Sequence, residues 1–187
     1  MMPNGTRGHP IIGADAMAAA GAARRVRAPD GILRERRGWT GSQAVSQRVN
    51  RGANMDNVGL LKQLYDAFGR GDIPSVLGAM SPAIRWHEAE SNPYMPSGEA
   101  WVGPDAVLND LFMKLGAEWD GFTVHPGSFH DAGDSVIVEA RYSGTYKATG
   151  KSMDAQVCHV WDIKDGKLTR FQQYVDTAKL REVMGAR

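Results

Sequence analysis

The chain has 187 residues, of which 42% are hydrophobic, and this is enough for one domain of ordinary size with a true core. Its net charge of +1 conceals a split, because residues 1–54 contain nine Arg and three acidic residues, whereas residues 55–187 contain 13 basic and 18 acidic ones. The second part is therefore mildly acidic and lacks the basic surface that nucleic-acid binding requires.

Residues 1–54 contain few large apolar residues and no sustained periodicity, a composition typical of disorder. We predict a disordered, Arg-rich extension there and one domain over 55–187. Met55 can be the true first residue, which would make the extension an artefact of the gene model. A targeting peptide and a basic arm for nucleic acid are the alternatives that this composition leaves open.

Other features of the sequence argue against several classes of protein. The run of small apolar residues at 16–23 is too short to cross a membrane. Cys158 is the single cysteine, so neither an internal disulfide nor a thiolate metal cluster can form. The spacing of His and Glu matches no metal site. We therefore expect a cytoplasmic protein with no cofactor and no metal, and with neither a membrane nor a nucleic acid as partner.

Helical spacing of apolar residues predicts three helices in the first half of the patterned region. Asp56 can cap the first helix, Asp72 can cap the second, and the third begins at Pro104. A loop rich in Pro and Gly is predicted over 91–104. Asp176 can cap a short final helix, which is the alternative to a catalytic role for this carboxylate.

Runs of β-branched and aromatic residues predict five strands, at 84–88, 121–130, 134–146, 152–164 and 167–176. The dipeptide Asp165-Gly166 between the last two is the strongest short-range signal for a hairpin. Helices that precede a run of antiparallel strands predict an α+β fold, in which the helices cover one face of a curved sheet. The opening at the end of such a sheet is a place where small ligands bind.

Four segments resemble the SnoaL-like branch of the nuclear transport factor 2-like superfamily, which includes ketosteroid isomerase, polyketide cyclases and limonene epoxide hydrolase. The segments are LYDAFGRGD (64–72), IRWHEA (84–89), WVGPDAV (101–107) and HVWDIKDGKL (159–168). The resemblance implies a cystatin-like α+β roll, with a cone-shaped antiparallel (mixed) sheet wrapped over three N-terminal helices. It also implies an apolar pocket and homodimers that pack through the sheet.

The resemblance places Glu88 at the general base of ketosteroid isomerase, a carboxylate that moves a proton between carbons next to a carbonyl. Strand parity puts Glu88 on the same face as Ile84 and Trp86, where burial among apolar groups would raise its pKa. Two alternatives are a carboxylate at the rim of the sheet and a carboxylate paired with Arg141.

The isomerase also needs two hydrogen-bond donors for the enolate oxygen. The tyrosine among them matches Leu64, with Tyr65 one residue away, and the aspartic acid matches Cys158. Both donors are therefore missing from these positions, and steroid isomerisation by that mechanism is not expected. Cys158 is interpreted as a small buried hydrophobe rather than a nucleophile.

Only one of the two residues that the cyclases use is present at its position in this chain. The resemblance implies an aspartate seven residues after the turn glycine, and this chain has Gln173 there. Its amide can orient a ligand but cannot hold a proton at neutral pH. His159 matches the histidine that accompanies the aspartate. The arginine–aspartate pair of the epoxide hydrolase has no convincing match in the sequence.

The register of the last hairpin decides which of these side chains share a face. A two-residue turn with regular strands pairs His159 with Gln172, which puts His159 and Gln173 on opposite faces. A β-bulge would shift the register and unite them. We adopt the regular register together with the register that the resemblance implies, in which the residues facing the pocket are Cys158, Val160, Phe171, Gln173 and Val175. Those facing a dimer partner are then His159, Trp161, Tyr174 and Asp176.

These positions predict a small apolar or aromatic organic molecule as partner. The catalytic candidates are Glu88 and His159. The ligand-binding candidates are Tyr65, Trp86, Phe112, Cys158, Phe171 and Gln173, with plain core packing as the alternative for the aromatic ones. The leading hypothesis is a SnoaL-like domain that binds a small molecule and, if it is an enzyme, works as an acid/base isomerase or cyclase. The competing hypothesis is a non-catalytic ligand-binding or dimeric assembly module.

Overall fold

The computed structural model describes residues 56–95 and 99–186. The extension predicted over 1–54 lies outside the described residues and stays a prediction. None of the helices in the described part of the chain is long and apolar enough to cross a membrane.

The helices and strands that the sequence predicted occur in the predicted order, and the structure adds one short strand, Trp101–Val102, inside the loop predicted over 91–104. The helices are α1 (Asn57–Gly69), α2 (Ile73–Ala79), α3 (Pro104–Val107), which continues through a π-helical segment (Leu108–Phe112) into α4 (Met113–Glu118), and α5 (Thr177–Met184). The strands are β1 (Met80–His87), β2 (Trp101–Val102), β3 (Trp119–Ala132), β4 (Ser135–Tyr146), β5 (Lys151–Lys164) and β6 (Lys167–Val175).

The predicted caps explain where the helices begin. Asp56 accepts a hydrogen bond from a backbone N–H in the first turn of α1. The Asp72 carboxylate accepts from the backbone N–H of Ser75 at 3.2 Å and from its hydroxyl at 2.6 Å. Asp176 accepts from the N–H of Lys179 at 3.0 Å, so this carboxylate is the N-cap of α5. A capping carboxylate satisfies a backbone N–H that would otherwise lack a partner.

The strands form one six-stranded sheet in the order β2-β1-β6-β5-β4-β3. Strands β1 and β6 are parallel, and every other neighbouring pair is antiparallel. Register shifts in the β3–β4 pair bend the long strands, and α1 packs against β3 and β4 on the inner face. The predicted α+β class, with a curved mixed sheet over helices, is confirmed.

The register predicted for the last hairpin is wrong. Lys164 pairs with Lys167 at the turn, as a two-residue turn requires, but His159 pairs with Gln173 farther along. One extra residue, Thr169, lies in β6 where the pairing shifts, and its hydroxyl donates to the carbonyl oxygen of Asp162 in β5 at 3.1 Å. This is the β-bulge that the sequence left as the alternative.

The bulge exchanges the faces assigned to β5. His159 and Trp161 are buried on the inner face with Phe171 and Gln173, although we expected them at a dimer interface. Cys158 and Val160 therefore point to the outer face, beside the exposed Tyr174, and the prediction that they face the pocket is wrong. Side chains alternate between faces, so a single inserted residue is enough to cause this exchange.

Candidate active site

A cavity of about 80 Å³ lies between the helices and the inner face of the sheet. Its walls are mostly apolar, and the π-helical segment contributes Leu111 and Phe112. The aromatic residues that line it are Tyr65, Phe68, Trp86, Tyr94, Phe112, Trp119, Phe122, Tyr142, Trp161 and Phe171. The predicted candidates Tyr65, Trp86, Phe112 and Phe171 therefore surround one space, together with Glu88, His159 and Gln173. Cys158 is not among the lining residues.

Glu88 follows the last residue of β1 and is only 5% exposed. One carboxylate oxygen accepts a hydrogen bond from the indole N–H of Trp86 at 2.7 Å, and the other accepts from the amide nitrogen of Asn92 at 2.8 Å. Arg141 instead pairs with Asp154 at 2.7 Å on the exposed side of the sheet. Both alternatives for Glu88, a rim position and a partner in Arg141, are therefore wrong.

Burial raises the pKa of Glu88 from 4.5 to about 7, and the hydrogen bond from Trp86 opposes this shift only in part. Among the described residues that line the cavity, none is Lys or Arg, so no cation offsets the desolvation of the carboxylate. Both protonation states of Glu88 are populated at neutral pH. A group with such a pKa can take up and return a proton under ordinary conditions.

Hydrogen bonds of Asn92 and Tyr94 hold the loop after β1 against the cavity. Asn92 accepts a hydrogen bond from the backbone N–H of Tyr94 at 3.0 Å, which fixes its amide so that the nitrogen points to Glu88 and Gln173. The Tyr94 hydroxyl donates to Glu118 at 2.6 Å and accepts from the indole of Trp119 at 2.8 Å. Sequence reasoning missed Asn92, because a single Asn in a loop rich in Pro carries no periodic signal.

Both the oxygen and the nitrogen of the Gln173 side-chain amide form hydrogen bonds with other groups of the protein. Its carbonyl oxygen accepts from the amide nitrogen of Asn92 at 2.9 Å and from the backbone N–H of Ala89 at 3.3 Å. Its amide nitrogen donates to the hydroxyl of Tyr142 at 3.0 Å. The side chain that replaces the cyclase aspartate therefore holds the loop and Tyr142 in place.

His159 lies between two tyrosine hydroxyls and is 3% exposed. Its Nε2 is 2.6 Å from the Tyr142 hydroxyl, and its Nδ1 is 2.5 Å from the Tyr65 hydroxyl. The Tyr65 hydroxyl also accepts from the indole N–H of Trp161 at 3.1 Å. Burial lowers the pKa of His159 to about 3, so its imidazole is neutral at physiological pH. Alternating buried positions in β4 were the signal for Tyr142, which sequence reasoning also missed.

These contacts form one continuous buried chain of hydrogen bonds, which we call the polar chain. Its members are Glu88, Asn92, Gln173, Tyr142, His159 and Tyr65. They come from the loop after β1, from β6, β4 and β5, and from α1. In the described part of the protein every buried side-chain nitrogen or oxygen has a partner. Because each link depends on a different element, the folded sheet itself orders the site.

Neither a cysteine nucleophile nor a metal-binding cluster is found among the described residues of this cavity. Cys158 is half-buried on the outer face, and burial raises the pKa of its thiol, which disfavours the nucleophilic thiolate. Across residues 56–95 and 99–186, no three His, Cys, Asp or Glu side chains converge as a metal site would require.

The raised pKa of Glu88 predicts a pH-dependent stability. The folded protein holds this proton more tightly than the unfolded chain, so the contribution of Glu88 to the free energy of unfolding should fall as pH rises from 4.5 to about 7 and then level off. The loss is about 3 kcal/mol. Glu88→Gln removes the titration, so the variant should gain about this much relative to wild type between pH 4.5 and 8 in urea unfolding. The lowered pKa of His159 contributes in the opposite direction, but equally in the wild type and in a Glu88 variant, so the comparison of the two isolates Glu88.

Glu90 is an exposed carboxylate two residues away, and Glu90→Gln is the matched control. Its free energy of unfolding should follow that of the wild type at each pH. Equal pH profiles for wild type and Glu88→Gln would show that the carboxylate is ionised at little cost and would contradict its burial.

Comparison with known proteins places this site in a family. A family model of the SnoaL-like domain matches residues 61–171. An NTF2-like protein from Burkholderia thailandensis is 37% identical over 68% of this chain and 95% of its own, with a TM-score of 0.64. An NTF2-like protein of unknown function from Burkholderia pseudomallei is 25% identical over 67% of this chain and 94% of its own, with a TM-score of 0.61.

TerC, crystallised with polyporic acid, is 24% identical over 69% of this chain and 98% of its own, with a TM-score of 0.62. That similarity shows the fold. No protein of curated function gives a significant match. The family model covers more than half of the chain, and the Burkholderia thailandensis protein supports it independently. The chain belongs to the SnoaL-like family of the NTF2-like superfamily, as its four sequence segments predicted.

Proposed function

We propose that this domain binds a small apolar or aromatic organic molecule in its cavity and that Glu88 exchanges a proton with it. One observation carries the proposal. Glu88 is a carboxylate buried in an aromatic cavity, and its pKa is about 7. Such burial destabilises a folded protein, and pKa values shifted in this way cluster at functional sites.

The geometry suits a base that acts on a carbon next to a carbonyl. Trp86 and Asn92 each occupy one lone pair on a separate oxygen of Glu88, so each oxygen keeps a second lone pair that can accept a proton from the ligand. The same two contacts hold the carboxylate in one orientation. Glu88 would remove a proton from one carbon and return it to the same or a neighbouring carbon, which is the chemistry of an isomerase or cyclase.

The size of the cavity limits the ligand. Its 80 Å³ is about half of the roughly 150 Å³ of an engineered apolar cavity that binds benzene. A single ring would therefore fit only if wall side chains move, and the ligand is a small one unless the loop after β1 opens. The complex of TerC with polyporic acid supports a small organic molecule as the ligand of this fold.

His159 is better suited to positioning than to proton exchange. A neutral imidazole with a pKa of about 3 is a poor base at neutral pH. We assign it the role of fixing the hydroxyls of Tyr65 and Tyr142, in place of the catalytic role that the sequence predicted.

The catalytic proposal predicts that Glu88 promotes exchange of hydrogens next to a carbonyl. With cyclopentanone in D₂O as the probe, proton NMR should show loss of the α-hydrogens faster with the protein than in buffer. The rate should rise between pH 5 and 8 as the carboxylate forms. Glu88→Gln should slow the protein-dependent exchange about 100-fold or more, while Glu90→Gln should leave it unchanged.

A non-catalytic ligand-binding module is the second candidate, and the occupied amide of Gln173 favours it. That side chain has no free oxygen to act on a ligand, and it cannot replace the acid that the cyclases use. Binding of the ketone without exchange would establish this alternative and end the catalytic one. Absence of binding would contradict a small-molecule site of this class.

We also propose that the outer face of the sheet pairs with a second copy of this chain. Neighbouring strands bring Ile137 beside Val160, and Cys158 beside Tyr174, at the centre of this face. Tyr174 is 58% exposed and extends this apolar patch, and contiguous apolar patches mark interaction sites. The exposed side chain of Glu139 flanks the patch. In a symmetric dimer the same patch of each copy would face the other.

The dimer proposal predicts that Tyr174→Arg raises the dissociation constant of the dimer at least about tenfold, because it would bury unpaired charge at the interface. Sedimentation equilibrium measures this. Val102 is 55% exposed on β2, away from the patch, and Val102→Arg should leave the dimer intact. A wild-type protein that stays monomeric at all accessible concentrations would contradict the proposal.

A further inference from the structure

The hydrogen bonds around His159 leave the hydroxyl proton of one tyrosine, Tyr65 or Tyr142, without an acceptor in the described part of the protein. A neutral imidazole has one N–H and one bare nitrogen. Each nitrogen of His159 contacts one tyrosine hydroxyl, Tyr142 at Nε2 and Tyr65 at Nδ1. One tyrosine must therefore donate to the imidazole and the other must accept from it. The accepting tyrosine keeps its own hydroxyl proton.

Each of the two tyrosine oxygens also accepts a hydrogen bond from an N–H group, which can only act as the donor. Tyr65 accepts from the indole N–H of Trp161. Tyr142 accepts from the amide of Gln173, whose orientation is fixed because its oxygen faces the backbone N–H of Ala89. The tyrosine that accepts from His159 thus receives two hydrogen bonds, which strengthens it as a donor. Both tyrosines line the cavity, so the remaining proton is free to point to where a ligand would lie.

The charge of Glu88 decides between the two arrangements. Glu88 and Tyr142 interact electrostatically, and this interaction, after burial, raises the pKa of the Tyr142 hydroxyl. A nearby anion attracts a hydroxyl proton, so the free proton is more stable on Tyr142. Around Tyr65 the described contacts are the rings of Phe129 and Trp161 together with His159, with no carboxylate among them.

We propose that Tyr142 presents its hydroxyl proton to the cavity as a hydrogen-bond donor to a carbonyl oxygen of the ligand, with His159 as the positioning residue that supplies the Nε2–H. The ligand class is therefore a small ketone or aldehyde with a hydrogen on the carbon next to the carbonyl. This inference rests on the proposed function, because it requires that the cavity binds a small molecule.

Tyr142 supplies a hydrogen-bond donor, which is missing at the donor positions of ketosteroid isomerase in this sequence. The two donor positions of ketosteroid isomerase carry Leu64 and Cys158 in this chain, and neither side chain can donate strongly. Tyr142 lies on β4, at neither of these positions, and reaches the same cavity as Glu88. A base and a donor in one apolar cavity can stabilise the charge that develops on a carbonyl oxygen when the neighbouring carbon loses its proton.

The test compares two probes of nearly equal shape, cyclopentanone and methylenecyclopentane, in which C=CH₂ replaces C=O. Binding is followed by the fluorescence of Trp86 and Trp161, which line the cavity. The wild type should bind the ketone about five- to tenfold more tightly than the alkene. Tyr142→Phe should remove this preference. Tyr146→Phe, the same change at a tyrosine of β4 outside the cavity lining, should keep it.

The ratio of the two affinities separates a lost donor from a damaged cavity, because damage would weaken both probes alike. The infrared C=O stretch of the bound ketone adds a direct readout. It should lie at lower frequency in the wild type and in Tyr146→Phe than in Tyr142→Phe. Equal affinities for both probes in the wild type would overturn this inference and leave the binding proposal intact. Failure of both probes to bind would overturn the proposed function and this inference with it.

The tautomer of His159 tests the inference without any ligand. Nitrogen NMR of the imidazole at pH 8, where Glu88 is ionised, should show the proton on Nε2 and a bare Nδ1. A proton on Nδ1 would place the free hydroxyl on Tyr65 and overturn the assignment to Tyr142.

Discussion

A carboxylate buried among aromatic rings must receive hydrogen bonds, and this requirement on Glu88 organises the inner face of the protein. Trp86 and Asn92 satisfy its oxygens, and Asn92 is held in turn by Gln173 and by the backbone of the same loop. An isolated buried polar group is costly, so each member of the polar chain requires the next one. The loop after β1, four strands and α1 are thereby tied to one cavity.

Two groups of the cavity, the Glu88 carboxylate and one tyrosine hydroxyl, can still exchange or donate a proton. Glu88 has no cationic partner among the described lining residues, so its proton is held loosely enough to move near neutral pH. His159 is neutral and accepts a hydrogen bond from one tyrosine hydroxyl, which leaves the other tyrosine as a donor. A base and a donor in one apolar space are the two parts that proton transfer next to a carbonyl requires. Structural roles alone would be met by apolar side chains.

Much of the fold follows from local patterns in the sequence. The caps at Asp56, Asp72 and Asp176 and the Asp165-Gly166 turn are local signals, and each one is where the structure has it. The burial of Glu88 followed from strand parity. These features depend on neighbouring residues, so a single sequence is enough to predict them. Asn92 joins the site through contacts between distant elements, which no local pattern encodes, whereas the alternation in β4 already indicated that Tyr142 faces inward.

The regular register predicted for the last hairpin is wrong because it left out the β-bulge in β6. Leu168 and Phe171 both face inward although they are three residues apart, and strict alternation cannot place both on one face. That spacing indicates an inserted residue, and Thr169 is the one that the pairing leaves over. The regular register overlooked it and sent His159 to the wrong face. The central claim is that Glu88 is a buried base. Carbon NMR of its labelled carboxyl group, followed against pH in the ligand-free protein, tests this most directly. A midpoint near 7 agrees with the account, and a midpoint below 5 would contradict it.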